Sequence, residues 1–107
     1  MSETFFVYPE AVDLAVVVVP AAAVVEVARE CATKGVRALV VISSGFSEVG
    51  EEGRRLQAEL VEVCREAGMR LVGPNCMGVM NTAEEVRMNA SVAPTFPPRG
   101  RIGFLSQ

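Results

Sequence analysis

The residues of this sequence that could take part in chemistry are few, and they stand in short segments after apolar runs. Ser43 and Ser44 provide two hydroxyl groups, Asn75 provides an amide and Cys76 provides a thiol. The chain contains no histidine, so neither a Ser–His nor a Cys–His nucleophile pair can form. Few charged groups stand nearby to transfer a proton. This inventory predicts no catalytic residue here, and favours a neutral or phosphate-bearing ligand held by backbone N–H groups.

The other reactive residues have structural interpretations. Cys31 and Cys64 lie on apolar helix stripes and are predicted to be core residues. Glu51 and Glu52 are predicted to be solvated residues at a helix start, where acids interact favourably with the helix dipole. No metal site is predicted, because histidine is absent and the three cysteines form no CxxC pair.

Alternating strands and helices must position the reactive groups. Continuously apolar, β-branched segments predict strands that are covered on both faces, and apolar residues at helical spacing predict helices between them. The strands are predicted at residues 14–19, 36–42 and 70–72, and the helices at residues 20–35 and 51–68. Such an alternation implies parallel pairing with right-handed crossovers. The predicted fold class is therefore α/β, with a Rossmann-like parallel sheet.

Three loops follow the three predicted strands: loop 1 (residues 19–21), loop 2 (residues 43–46) and loop 3 (residues 73–78). The carboxyl ends of parallel strands lie at one edge of a sheet, and α/β proteins bind their ligands there. The sequence therefore predicts one ligand-binding edge that is built from all three loops.

The periodicity fades after loop 3. Residues 82–100 contain three prolines and no clear apolar stripe, so they are predicted to be a linker, and residues 101–105 predict one more strand. A complete doubly wound domain usually has five or six strands. The chain is therefore predicted to be a fragment, half of a doubly wound domain within a larger protein.

The composition of the chain limits the kinds of molecule that it could bind and the compartment in which it could lie. Ten basic and 13 acidic residues give a net charge of −3, which provides no basic field for nucleic acid or an anionic membrane. The longest apolar stretch, residues 14–25, contains Pro20 and is shorter than the roughly 20 residues that a membrane span needs. The widely spaced cysteines and an amino terminus without signal-peptide features predict a cytoplasmic protein.

Three segments around the loops carry recognisable motifs: DLAVVVVPA at residues 13–21, KGVRALVVISSGF at 34–46 and GMRLVGPNCMGVMN at 68–81. Together they resemble the CoA-binding domain of NDP-forming acyl-CoA synthetases. That group includes ADP-forming acetate–CoA ligases and the α-subunit of succinyl-CoA synthetase. In addition, RIGFLSQ at 101–107 resembles the first strand of the flavodoxin-like domain that follows in the family.

The resemblance implies a Rossmann-like domain that holds coenzyme A or acyl-CoA. The residues that match the cofactor-binding motifs are Val19, Pro20, Ser43, Ser44, Gly45, Asn75, Cys76 and Met77. The implied division is the C-terminal part of the CoA-binding domain at residues 1–81, the linker at 82–100 and the start of the flavodoxin-like domain at 101–107. The family's N-terminal strand and Gly-rich loop, which hold the CoA phosphates, have no counterpart in this sequence.

The family reaction passes a phosphoryl group through a histidine to an acyl phosphate, and CoA then takes the acyl group. That histidine, ATP or ADP, and magnesium belong to other parts of the parent enzyme, an acid–thiol ligase. We therefore expect this chain, with no histidine, to be inactive by itself and to act with the remaining domains of its parent.

Two other functions stay open at this point. One is a regulatory CoA-binding module of a bacterial protein lysine acetyltransferase that is fused to a GNAT domain. The other is a non-enzymatic sensor of a small ligand.

As half of a doubly wound domain, the chain would have its strand at residues 14–19 beside an absent strand. The bare edge of that strand, with Val17 exposed, predicts that the isolated chain self-associates or is marginally folded.

Overall fold

The computed structural model describes residues 12–105, which form a parallel sheet with two helices and then a hairpin. The elements are β1 (Leu14–Val17), α1 (Ala21–Thr33), β2 (Ala38–Val41), the 3-10 helix η1 (Ser47–Val49), α2 (Glu51–Ala67), β3 (Arg70–Val72), β4 (Gly78–Asn81) and β5 (Met88–Ser91). The N-terminal stretch that lacks signal-peptide features, and residues 106–107, lie outside the described residues. No helix within residues 12–105 is long and apolar enough to cross a membrane.

The three strands of the main sheet are parallel and lie in the order β1-β2-β3. Val16 is opposite Val40, and Val40 is opposite Val72. The predicted α/β class with a Rossmann-like parallel sheet is confirmed. The first two strands are each shorter than predicted: β1 ends at Val17, and β2 spans Ala38–Val41. Helix α2 ends at Gly68 as predicted, whereas α1 is capped at Lys34, one residue before the predicted Gly35.

Both helices pack on one face of the sheet, because two right-handed crossovers that run in the same direction place their helices on the same side. Val17 and Val41 of the sheet meet Val24 of α1 and Leu60 of α2 in a single apolar core. Phe46 of loop 2 is also fully buried in this core. Cys31 and Cys64 are buried, as their positions on the apolar stripes predicted.

The opposite face of the sheet is covered by no helix within residues 12–105. Val40 is 1% exposed there, yet Val16 and Val72, opposite it on the neighbouring strands, are 43% and 40% exposed. Sheets of parallel strands normally have both faces covered. The prediction that Val17 lies on the bare surface is wrong: Val17 is 4% exposed and faces the helices, whereas Val18 is 64% exposed.

A hairpin follows the sheet, and the sequence did not predict it. Strands β4 and β5 are antiparallel, with Gly78 opposite Ser91, so the segment predicted to be a linker at 82–100 contains a strand. Strand β5 carries Asn89 and Ser91 and lacks an apolar period, because backbone pairing with β4 forms it rather than burial of one face. A Cβ at Gly78 would lie 2.1 Å from the carbonyl oxygen of Ala90, so the close approach of the two strands requires glycine there.

Residues 101–105 do not form the predicted strand. Ile102, Phe104 and Leu105 are each at least 89% exposed. A strand needs a neighbour to satisfy its backbone groups, and the described residues provide none for this segment. Its assignment to a second domain therefore stays a prediction.

Candidate functional site

Ser43 joins the three loops at the carboxyl edge of the main sheet. Its side-chain oxygen accepts a hydrogen bond from the N–H of Val19 at 3.0 Å and donates one to the carbonyl of Val19 at 2.5 Å. Its own carbonyl accepts a bond from the N–H of Asn75 at 2.9 Å. Loops 1, 2 and 3 therefore lie together, as the parallel strands predicted.

Two further contacts hold the loops against the sheet. The thiol of the half-buried Cys76 donates to the carbonyl of Val41, with 3.4 Å between sulfur and oxygen. Gly45 lies against the start of α1, since a Cβ at Gly45 would be 3.1 Å from the Cβ of Ala21. Loop 2 is therefore packed between loop 1 and loop 3.

The side chains that point away from this framework are exposed. Pro20, Ser44, Asn75 and Met77 are all exposed. Within residues 12–105, the Ser44 hydroxyl and the Asn75 side-chain amide take part in no hydrogen bond. These two groups can still bind a ligand, whereas the Ser43 hydroxyl is already used by Val19.

Met77 belongs more to the hairpin than to the loop framework. Its carbonyl accepts a hydrogen bond from the N–H of Val92 at 2.9 Å, and its side chain is 61% exposed. The structure thus joins Val19, Ser43 and Asn75 directly, places Gly45 and Cys76 against them, and leaves Pro20, Ser44 and Met77 at the rim.

Two side chains outside the three loops bind the backbone of loop 2 and of the residue after it, and the sequence did not predict either of them. The carboxylate of Glu48 accepts hydrogen bonds from the N–H groups of Gly45 and Phe46, and the Gln57 side-chain oxygen accepts one from Ser47 at 3.3 Å. The hydrogen bond from the Gly45 N–H is the largest cause that lowers the pKa of Glu48 below its ordinary value. The only signal in the sequence is an acid three residues after a loop glycine. The Gly45 N–H is therefore already bonded to Glu48, and binding of the ligand by other backbone N–H groups of the loops stays a prediction.

The site has little charge of its own. None of the three loops contains a lysine, arginine, aspartate or glutamate. Within the described range, no group of histidine, cysteine, aspartate and glutamate residues is arranged to hold a metal ion. Burial, together with the charges of Glu30 and Cys64, raises the pKa of the Cys31 thiol to about 11, and burial also raises the pKa of Cys64. These two thiols are structural, and the edge is suited to binding through neutral polar groups.

Comparison with known proteins identifies the family of this chain. Residues 3–82 match the family model of a CoA binding domain. The chain belongs to the CoA-binding domain family. The three loops lie within the matched segment.

Two curated relatives of this CoA-binding domain are ADP-forming acetate–CoA ligases. It is 54% identical over 99 residues to the ADP-forming acetate–CoA ligase I of Archaeoglobus fulgidus, a match that covers 92% of this chain and 14% of the relative. It is 46% identical over 99 residues to the α-subunit of ADP-forming acetate–CoA ligase II of Pyrococcus furiosus, covering 92% and 21%. The chain therefore spans between a seventh and a fifth of the length of these relatives.

Solved structures show the same fold. One is the dinucleotide-forming acetyl-coenzyme A synthetase 1 of Candidatus Korarchaeum cryptofilum in complex with phosphate and ADP, with a TM-score of 0.73 and 40% identity. The match covers 82% of this CoA-binding domain and 18% of that chain. A second, a protein of Pyrococcus horikoshii, has a TM-score of 0.72 and 48% identity, covering 78% and 19%.

Proposed function

We propose that this chain is the CoA-holding part of an ADP-forming acyl-CoA synthetase and that CoA lies along loops 1, 2 and 3. The observation that carries the proposal is the junction at Ser43, which brings the end of β1 and the start of loop 3 together within a chain of this family. The free groups of Ser44 and Asn75 would bind the coenzyme, and Pro20, Cys76 and Met77 would line its path.

The uncharged character of the edge supports a function in which this chain binds CoA and other parts of the parent enzyme supply the charged and catalytic groups. The loops contain no cation, so positive charge for the CoA phosphates would come from elsewhere in the parent. The phosphohistidine, the nucleotide and magnesium would also be supplied outside this chain, which has no histidine. CoA supplies the thiol that accepts the acyl group, and the residues described here bind and orient it in a cytoplasmic ligase.

Titration calorimetry of the chain with CoA, NAD and FMN tests this proposal. We expect CoA to bind and the other two to bind more weakly or not at all. Binding of NAD or FMN without CoA, or no binding of any of the three, would contradict the proposal and, in the first case, favour a sensor of another ligand.

Two serine variants locate the site. Ser44→Ala is expected to weaken CoA binding roughly 3- to 10-fold, because it removes one hydrogen bond to the ligand. Ser47→Ala is the matched control, since Ser47 is also exposed and its side chain makes no hydrogen bond within residues 12–105. Equal affinities in the two variants would place the coenzyme away from loop 2.

A further inference from the structure

Three consecutive backbone N–H groups in and after loop 2 are bonded to side chains instead of being open to a ligand. Gly45 and Phe46 donate to the Glu48 carboxylate, and Ser47 donates to Gln57. A carboxylate that accepts bonds from two adjacent N–H groups is a strong, charge-assisted acceptor. The conformation of this segment therefore depends on a side chain that the family resemblance did not include among the cofactor-binding residues.

We propose that Glu48 is a positioning residue for the CoA site: it holds loop 2 in its binding conformation through the N–H groups of Gly45 and Phe46, and so presents Ser44. This inference rests on the proposed function for its ligand. It goes beyond that function because Glu48 itself is expected to make no contact with CoA.

The conformation of loop 2 explains why it needs the hydrogen bonds to Glu48. The Gly45 backbone has a positive φ of 99°, which is outside the regions that most residues adopt. Phe46 is fully buried in the core, and its carbonyl accepts a bond from Val49 at 3.0 Å. Phe46 therefore fixes one end of the turn, and the Glu48 carboxylate fixes the end that adjoins Ser44.

The charged groups around Glu48 leave its carboxylate to the backbone. On α2, which packs against η1, the acids of the first turn pair with arginines of their own helix: Glu51 with Arg54, and Glu52 with Arg55. The influences that lower the pKa of Glu48 are all backbone N–H groups, of which Gly45 is the largest. The Glu48 carboxylate therefore interacts with the backbone of loop 2 and not with the arginines of α2.

Amide shifts measured by NMR during an acid titration of the ¹⁵N-labelled chain test directly whether the Glu48 carboxylate binds the N–H groups of loop 2. The Gly45 and Phe46 amide protons are expected to shift together, with one midpoint below the ordinary pKa of a glutamate. The shift is expected to be lost in Glu48→Gln and retained in Glu66→Gln, a matched exposed acid with no ion pair within residues 12–105. If the two amides of the wild-type chain do not titrate, the proposal is overturned without any variant.

CoA binding tests the consequence for the site. Glu48→Gln is expected to weaken CoA binding roughly tenfold, since the loop must then be ordered when the ligand binds, while Glu66→Gln leaves it unchanged. In the Glu48→Gln background, the added effect of Ser44→Ala is expected to disappear, because the two residues act as one unit. A purely structural loss of stability would leave the Ser44→Ala effect in place.

The two measurements separate the two hypotheses. If the wild-type chain binds no CoA but the Gly45 and Phe46 amides titrate with Glu48, the proposed function fails and the hold on loop 2 stands, without its role for CoA. If the wild-type chain binds CoA and Glu48→Gln binds it equally well, the proposed function stands and the positioning role of Glu48 is overturned.

Discussion

The side-chain oxygen of Ser43 forms hydrogen bonds to both the N–H and the carbonyl of Val19. One hydroxyl therefore satisfies both backbone groups of the residue where β1 gives way to α1. This pairing explains why two adjacent serines of loop 2 differ in role: Ser43 is half-buried and already bonded, whereas Ser44 is exposed.

The difference between the two serines can be measured. Ser43→Ala is expected to lower the free energy of unfolding by about 1–3 kcal/mol, because it leaves two partly buried backbone groups of Val19 without a partner. Ser44→Ala is expected to change it by less than about 0.5 kcal/mol. Urea unfolding curves of both variants provide the comparison, and equal destabilisation would contradict the assignment.

Gly53 in α2 provides a test in which helix propensity and packing predict opposite signs. Alanine is favoured over glycine in a helix by about 1 kcal/mol, but a Cβ at Gly53 would lie 1.7 Å from the carbonyl oxygen of Phe46. We therefore expect Gly53→Ala to destabilise the chain by about 1–3 kcal/mol or more. Gly100→Ala is the control, since a Cβ there meets no atom within 4 Å. A stabilised Gly53→Ala would show that α2 does not pack against loop 2 in this way.

The three cysteines should react at different rates. Cys31 is fully buried and has a pKa of about 11, and Cys64 is 3% exposed with a raised pKa. Only the thiolate is nucleophilic, so a thiol reagent near pH 8 is expected to modify Cys76 first. Mass spectrometry of the labelled peptides provides the order. Under the proposed function, CoA slows the labelling of Cys76, and similar rates at all three positions would contradict the described packing.

Glu48 should make the free energy of unfolding of the chain depend on pH. Its pKa is lowered in the folded chain, first by the N–H of Gly45, so its contribution is present at neutral pH and is lost as the pH falls through the folded pKa. The wild-type chain should exceed Glu48→Gln in free energy of unfolding at neutral pH, and this difference should shrink as the pH falls through the lowered pKa of Glu48. Unfolding curves at several pH values measure it. A difference that stays constant with pH would contradict the role of the carboxylate.

Self-association of the isolated chain is expected at β1, which pairs with β2 alone within residues 12–105. Val16→Lys places a charge on the face that no helix of the described range covers, and is expected to reduce association while the chain stays folded. Val17→Lys buries a charge in the core and is expected to unfold the chain. Sedimentation velocity and circular dichroism distinguish the two variants. A monomeric wild-type chain would show that this strand and face recruit no second copy.

The sequence alone predicted the elements whose signals are local. The β-branched runs around Val17 and Val41 mark strands, and the left-handed cap at Gly68 ends α2 where predicted. Alternation of these elements implies a parallel sheet, and a parallel sheet places loops 1, 2 and 3 at one edge. The family resemblance then pointed to CoA at that edge, on the motif around Asn75 and Cys76.

Tertiary structure alone decided which groups at that edge are free. Ser43 and Ser44 are identical in type and adjacent in sequence. Ser43 has a structural role only because the fold brings Val19, 24 residues earlier, within hydrogen-bond distance of its hydroxyl. Glu48 resembles any solvated acid until the turn at Gly45 brings two N–H groups to it. The same holds for two segments near the end of the chain: β5 forms a strand, and residues 101–105 do not. Strands are stabilised by partners that are distant in the chain, so their own residues do not determine whether they form.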